Sequence, residues 1–150
     1  MKSKIAIIFL CLFTFLCTIL TAQNESVSEQ SNIKRNAVYY ELFGNGLFAG
    51  SVNYDRLIPF NEKSGLILRG GLSWYEKIFP LGEINYLTGK QKHHFETGLG
   101  YTAFDEGHVV FIRAGYRFHG DKGLVIRAAP LYCVNESFLW FGISVGYQFN

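Results

Sequence analysis

Few residues of this sequence have the type and spacing of a catalytic or metal-binding motif. The phosphate-binding GxxxxGK[ST], the zinc-binding HExxH, the thiol-exchanging CxxC and the acidic EF-hand loop are all absent. The segment 142–146 matches the hydrolase pattern GxSxG, but its glycines alternate within a predicted strand rather than forming the strand-to-helix turn that exposes a nucleophile. His93 and His94 stand side by side, but adjacent residues of a strand point to opposite faces and do not ligate one metal ion. The sequence therefore predicts no catalytic residue, no cofactor and no metal.

The remaining chemistry lies in eight charged side chains that recur at strand-like spacing. They are the acids Glu41, Asp55, Glu83 and Glu96 and the arginines Arg69, Arg113, Arg117 and Arg127. Arginine forms bidentate hydrogen bonds with carboxylates, and such pairs suit a confined interior. The lysines fall instead between the predicted strands, as Lys63, Lys77, Lys90, Lys92 and Lys122. We expect the eight side chains to form an internal charge network, the alternative being a solvated face whose charges happen to balance.

Period-two alternation of apolar with small or polar residues predicts that β-strands hold these side chains. Turn-forming residues separate eight candidate strands. The candidates are Ala37–Gly44, Leu47–Leu57, Leu66–Tyr75, Leu81–Thr88, His94–Ala103, Val109–Phe118, Leu124–Tyr132 and Leu139–Phe149. The expected fold is an all-β, eight-stranded, antiparallel up-and-down barrel.

The strand faces opposite the charged residues are strongly apolar. In the last strand Leu139, Phe141 and Ile143 alternate with small or polar residues such as Gly142 and Ser144. A soluble barrel turns its apolar face inward and a polar face to water. Large apolar side chains facing outward, aromatic residues near strand ends and an even strand number are typical of a transmembrane β-barrel. Side chains fill the lumen at eight strands, so we expect no continuous pore.

The first 22 residues have the layout of a secretory signal peptide. Lys2 and Lys4 precede an uncharged apolar run, and Ala22 offers a small residue at the expected cleavage site. The polar residues 23–36 predict a flexible periplasmic tail, and residues 37–150 the barrel. Cleavage would leave Cys133 as the only cysteine of the mature chain, and we expect it in a connection as an exposed or interfacial thiol.

The charge of the chain argues against a nucleic-acid partner. The formal net charge is +2, and it comes from the two lysines of the predicted signal peptide. The mature chain would therefore be neutral, without the excess positive charge that binding to phosphate backbones requires.

Five segments carry a family resemblance. They are YYELFGNG (39–46), SVNYDR (51–56), FETGLGY (95–101), RAGYRF (113–118) and VGYQF (145–149). With these segments, residues 37–150 resemble the small outer-membrane β-barrel proteins of Gram-negative bacteria, in particular uncharacterised barrels of the Bacteroidetes. The resemblance implies insertion into the outer membrane by the barrel-assembly machinery and contact with membrane lipid and lipopolysaccharide. We expect a monomer with a non-catalytic structural, envelope or surface-contact role.

Two alternative functions remain open. Some barrels that resemble this one modify lipid A with a serine, a histidine and an acid, and Ser73, Glu76, Glu106 and His108 fall near the predicted external rim. Ser73 and His108 are expected to point into the lumen rather than toward lipid, which argues against such an enzyme. The second alternative is a soluble periplasmic lipid-binding β-barrel.

Overall fold

Eight antiparallel strands close into one barrel, in which β1 is hydrogen-bonded to β8. The computed structural model of this chain describes residues 34–105 and 107–150. The strands are β1 (Asn36–Phe43), β2 (Ser51–Asn61), β3 (Ser64–Tyr75), β4 (Lys77–Lys90), β5 (His93–Phe104), β6 (Gly107–His119), β7 (Leu124–Cys133) and β8 (Phe138–Phe149). The predicted all-β, eight-stranded up-and-down barrel is confirmed. The predicted signal peptide, residues 23–33 of the predicted tail and Glu106 lie outside the described residues.

The barrel has two mouths, which differ in the elements that surround them. We call terminal mouth the end that holds the start of β1, the end of β8 and the β2–β3, β4–β5 and β6–β7 turns. The loop mouth holds the other connections. The turns at the terminal mouth are two to four residues long. In the first, the Lys63 backbone N–H donates a hydrogen bond to Asn61 Oδ1 at 2.8 Å. In the second, Gln91 takes a positive φ of 54°. Among the described residues no helix is long and apolar enough to cross a bilayer.

The β1–β2 connection differs from the sequence prediction. The sequence predicts a turn at Asn45-Gly46 and a strand that begins at Leu47. Instead, Gly44–Ala49 forms a 3-10 segment that is kinked at Leu47, and β2 begins at Ser51. The predicted start of the second strand is therefore wrong.

The 3-10 segment enters the lumen because the backbone turns inward at the end of β1. Phe43 and Gly44 have positive φ values of 59° and 60°. A Cβ atom on Gly44 would collide with the side chain of Glu41, so glycine is required at this position. Asn45 is fully buried as a result, and Leu47 packs against an apolar cluster at the loop mouth.

Three smaller expectations are also corrected. Strand β4 begins at Lys77 rather than Leu81, because the turn before it narrows to Glu76, which has a φ of 62°. Asn36, assigned to the tail from its polarity, is the first residue of β1 and is buried. Cys133 is neither exposed nor in a connection: it is the last residue of β7 and is fully buried as a free thiol.

The two faces of the barrel wall carry opposite chemistry. The inner face is mainly polar and charged, with three small apolar clusters formed by Ala37, Tyr39 and Val125, by Leu57, Ile67 and Leu87, and by Phe111, Leu131 and Cys133. The outer face carries large exposed apolar side chains on every strand. The charged groups therefore lie in the centre of the barrel, where they must pair and form hydrogen bonds with one another.

Candidate functional site

All eight charged residues chosen from the sequence lie in the lumen. They are Glu41, Asp55, Arg69, Glu83, Glu96, Arg113, Arg117 and Arg127, and each is 5% exposed or less. Each occupies an inward position of its strand because successive strand residues alternate between the two faces. The structure brings all eight into one connected cluster, which we call the charge network.

Glu96 on β5 is surrounded by three guanidinium groups. Arg127 binds it at two points, with Nη2 at 2.6 Å from Oε1 and Nε at 3.2 Å from Oε2. Arg69 Nη2 lies 2.9 Å from Oε1, and Arg117 Nη1 lies 3.3 Å from Oε2. The Glu96 carboxylate thus joins strands β3, β6 and β7 across the lumen.

Asp55 on β2 is held by two arginines and a phenol. Arg69 Nε donates to Oδ1 at 2.8 Å, and Arg117 Nη1 donates to Oδ2 at 2.5 Å. The Tyr39 hydroxyl donates to Oδ1 at 2.9 Å. The Tyr39 ring also lies 5.2 Å from the Arg69 guanidinium and 4.9 Å from that of Arg127, at cation–π distance. Tyr39 therefore donates a hydrogen bond to one acid of the charge network and packs its ring against two of its arginines.

Glu83 on β4 bridges the two halves of the network. It forms an ion pair with Arg69 on one side, and Arg113 Nε donates to its Oε1 at 3.0 Å on the other. Asn45 from the 3-10 segment and Asn85 from the same strand also donate their side-chain amides to it. The inward connection thus adds a hydrogen-bond donor to those that the strands provide.

Glu41 on β1 completes the network near the loop mouth. Arg113 Nη1 lies 2.9 Å from its Oε1 in an ion pair. Ser144 Oγ donates to Oε1 at 3.2 Å, and the Asn45 backbone N–H donates to Oε2 at 3.3 Å. Arg127 Nη1 lies farther away, at 3.9 Å. Four acids and four arginines therefore share one buried cluster with no formal net charge.

Asn45 and Tyr39 belong to the site, although neither residue is predicted there from the sequence. The sequence predicts Asn45 in a turn, but its side-chain amide contacts Glu83 and its backbone carbonyl accepts a hydrogen bond from Thr102 Oγ1 at 3.0 Å. Tyr39 shares the inward parity of Glu41, so strand alternation could have identified it. No local signal could have identified Asn45, because its contacts come from distant strands.

Two histidines form a second inward group at the terminal mouth. His94 and His119 have ring centroids 4.7 Å apart, and both side chains are buried. His93 lies on the outer surface, with Nδ1 2.5 Å from the Tyr116 hydroxyl. The expectation that His93 and His94 point to opposite faces is therefore correct. The sequence does not predict the contact of His94 with His119, because it places His119 in a turn, whereas His119 is the last residue of β6.

The structure does not bring together Ser73 and His108, the serine and the histidine of the proposed lipid A enzyme. Ser73 is buried on the inner face, as expected. His108, expected in the lumen, is exposed and stacks on the outward-facing Tyr101 with centroids 5.5 Å apart. The expectation for His108 is wrong because it shares the parity of the outward Ile112 on β6. The barrel wall separates the two side chains, and Glu76 lies exposed in its turn.

Neither a metal-binding group of residues nor similarity to known proteins assigns a reaction to this site. Within the two described ranges, no group of three or more His, Cys, Asp or Glu side chains is arranged to hold a metal ion. Comparison of the chain with protein-family models, with curated proteins and with solved structures gives no match. The fold and the charge network are therefore the basis for any functional argument.

Proposed function

We propose that this protein is a non-catalytic outer-membrane β-barrel whose lumen is closed by the charge network and which serves the envelope structurally or through surface contacts. The observation that carries the proposal is the inverted distribution of polarity. Fully buried charges fill the centre, while large apolar side chains cover the outside. This arrangement suits a hydrocarbon solvent, in which a closed barrel satisfies its own backbone hydrogen bonds.

The exposure of the outer side chains supports a lipid environment. Leu99, Ile84 and Val145 are 59%, 56% and 55% exposed, respectively. Every strand contributes further exposed apolar residues to this surface. A continuous apolar surface of this kind is rare on soluble monomers, whose isolated apolar patches are much smaller. Burial against acyl chains would remove this surface from water.

Exposed aromatic side chains lie near the strand ends at both mouths. Tyr86, Phe95, Tyr116 and Tyr147 are nearer the terminal mouth, and Trp74, Tyr101, Tyr132 and Phe141 nearer the loop mouth. Two aromatic girdles are characteristic of barrels that cross a bilayer, because these rings favour the boundary between hydrocarbon and headgroups. The outer-membrane location, with lipid and lipopolysaccharide as neighbours and insertion by the barrel-assembly machinery, follows from this proposal.

The lumen gives less support to the two alternative functions. A soluble lipid carrier needs an apolar cavity inside its barrel, whereas the charge network occupies the centre of this one. A lipid A enzyme needs a nucleophile and a base within hydrogen-bonding distance, whereas Ser73 and His108 lie on opposite faces of the wall. The carboxylates of the network accept hydrogen bonds from several donors, which suits a structural role.

Fractionation tests the membrane assignment. We expect the full chain, expressed in a Gram-negative host, to sediment with the outer membrane and to require detergent for extraction. The outer apolar surface provides the physical reason, because it favours hydrocarbon over water. A soluble periplasmic protein with a matched epitope tag serves as the control. Recovery of this barrel in the soluble periplasm without detergent would contradict the proposal and favour the lipid carrier.

Planar-bilayer recordings test whether the lumen is closed. We expect negligible conductance from the purified protein, because eight strands leave little space inside and the charge network fills it. A larger porin, reconstituted by the same procedure, provides the positive control. Stable single-channel steps from this protein, absent from empty bilayers, would show that the network does not close the lumen.

A further inference from the structure

A polar depression opens at the terminal mouth, beyond the charge network. Its volume is about 600 Å³, and its lining includes Lys34, Lys92, His119, Asp121 and Gln148. His119 and Gln148 are only 5% and 4% exposed. Both have polar atoms with no partner in the described structure, namely His119 Nδ1 and Gln148 Oε1. Unsatisfied buried polar atoms at the base of a cavity are costly unless something fills it.

The hydrogen bond from Arg117 fixes the chemistry of His119. Arg117 Nε donates to His119 Nε2 at 2.7 Å. A nitrogen that accepts a hydrogen bond carries no proton, so the proton of this imidazole must lie on Nδ1. His119 Nδ1 is therefore an N–H donor without an acceptor, and the missing partner must be a hydrogen-bond acceptor.

The charges around the depression favour an anion. Lys34 contributes an ammonium group, which lies 5.3 Å from the centre of the Tyr147 ring. Lys92 contributes a second, which is paired with Asp121 at 2.5 Å on the exposed rim. Two cations and one carboxylate leave a net positive charge, whereas the charge of Arg117 behind His119 is balanced by Asp55 and Glu96. The opposing carboxylate of Asp121 should weaken the binding of any anion.

We propose that this depression is a binding site for a phosphate group, with His119 Nδ1–H as its inner donor and Lys34 and Lys92 as its outer cations. The unprotonated oxygens of a hydrogen phosphate accept hydrogen bonds from all three donors, and its P–OH group donates to Gln148 Oε1. This inference does not depend on which solvent surrounds the barrel. The phosphate is either a free ion or the phosphomonoester headgroup of a phospholipid, and both present the same oxygens and the same P–OH group.

Titration of the full folded chain with inorganic phosphate tests the proposal. Calorimetry gives the affinity, and nitrogen NMR of the histidine side chains identifies the site. We expect a saturable shift at His119 Nδ1, while His93 on the outer surface stays unchanged. Asp121→Asn should strengthen binding about threefold at low salt and Lys92→Gln should weaken it by a similar factor, as expected for exposed charges.

The opposite mouth supplies matched controls. Lys77 and Asp105 form an equivalent exposed ion pair there, so Lys77→Gln and Asp105→Asn should leave phosphate affinity unchanged. All four variants alter exposed side chains and should fold normally. Equal effects of the variants at both mouths would show that phosphate binds through general surface charge, and would overturn the proposal. Absence of a saturable His119 shift would also overturn it.

A second titration identifies the source of the phosphate. Dihexanoyl phosphatidic acid presents the same group on a short lipid. Tighter binding of this lipid, with the same His119 shift, supports the site and assigns it to a headgroup. Equal or tighter binding of inorganic phosphate, again with that shift, supports the site as one for a free ion. Binding of the lipid without the His119 shift would count against the site.

Discussion

The Glu96→Gln variant is expected to lose about 3–5 kcal/mol of unfolding free energy, the cost of removing one partner from a buried ion pair. Glu96 contacts Arg69, Arg117 and Arg127. Glutamine keeps the size of the side chain but removes its charge, so the network would contain four arginines and only three acids. Urea unfolding of the reconstituted barrel, followed by tryptophan fluorescence, measures the change.

Glu62→Gln is the matched control for this variant. It makes the same chemical change in an exposed turn, where the expected effect is below about 0.5 kcal/mol. A double variant, Glu96→Leu with Arg127→Met, should cost less than the sum of its two single replacements, because it removes both partners of the bidentate pair. A loss below about 1 kcal/mol for Glu96→Gln would contradict the interpretation that buried pairing holds the barrel together.

The Leu99→Arg variant is expected to lose about 2–4 kcal/mol in a lipid bilayer, where a charged side chain near the midplane is costly. Leu99 lies in the middle of β5, faces outward and pairs with the outward residues Ile84 and Ile112. Urea unfolding in lipid vesicles measures the change. In water the same substitution would replace an exposed apolar side chain with a charged one at little or no cost.

Leu139→Arg separates the effect of lipid from that of local packing. Leu139 is 76% exposed and stands at the start of β8, beside the loop mouth. We expect a loss of about 0–1 kcal/mol, because the arginine would reach the membrane interface. Equal, negligible losses for Leu99→Arg and Leu139→Arg in vesicles would indicate that the outer face does not contact hydrocarbon.

Strand alternation was enough to predict the fold and the direction of most charged side chains. The spacing of Glu96 on β5, of Arg113 and Arg117 on β6 and of Arg127 on β7 assigns them to the face opposite the large apolar residues. All four lie on the inner face of the barrel. Alternation succeeds here because a strand has only two faces, and a shift of one residue would expose the whole charged set.

The limits of the sequence prediction are clearest at the β1–β2 connection. Asn45-Gly46 is a favourable hairpin dipeptide by local criteria, but Gly44–Ala49 turns into the lumen instead. Its position depends on the contact of the Asn45 amide with Glu83 on β4 and on the packing of Leu47 at the loop mouth. Local propensity contains no information about these contacts.

The sequence by itself determined the number and order of the strands, their antiparallel arrangement and the polarity of their two faces, since these depend on neighbouring residues. Only the tertiary structure decided which charges meet. Arg113 contacts Glu41 from 72 positions away, and Arg127 contacts Glu96 from 31. Such pairs form because closure of the barrel brings distant strands to face one another across a narrow lumen, where a buried charge must have a partner. Alternation fixes the direction of a side chain, whereas the closed ring fixes its neighbours.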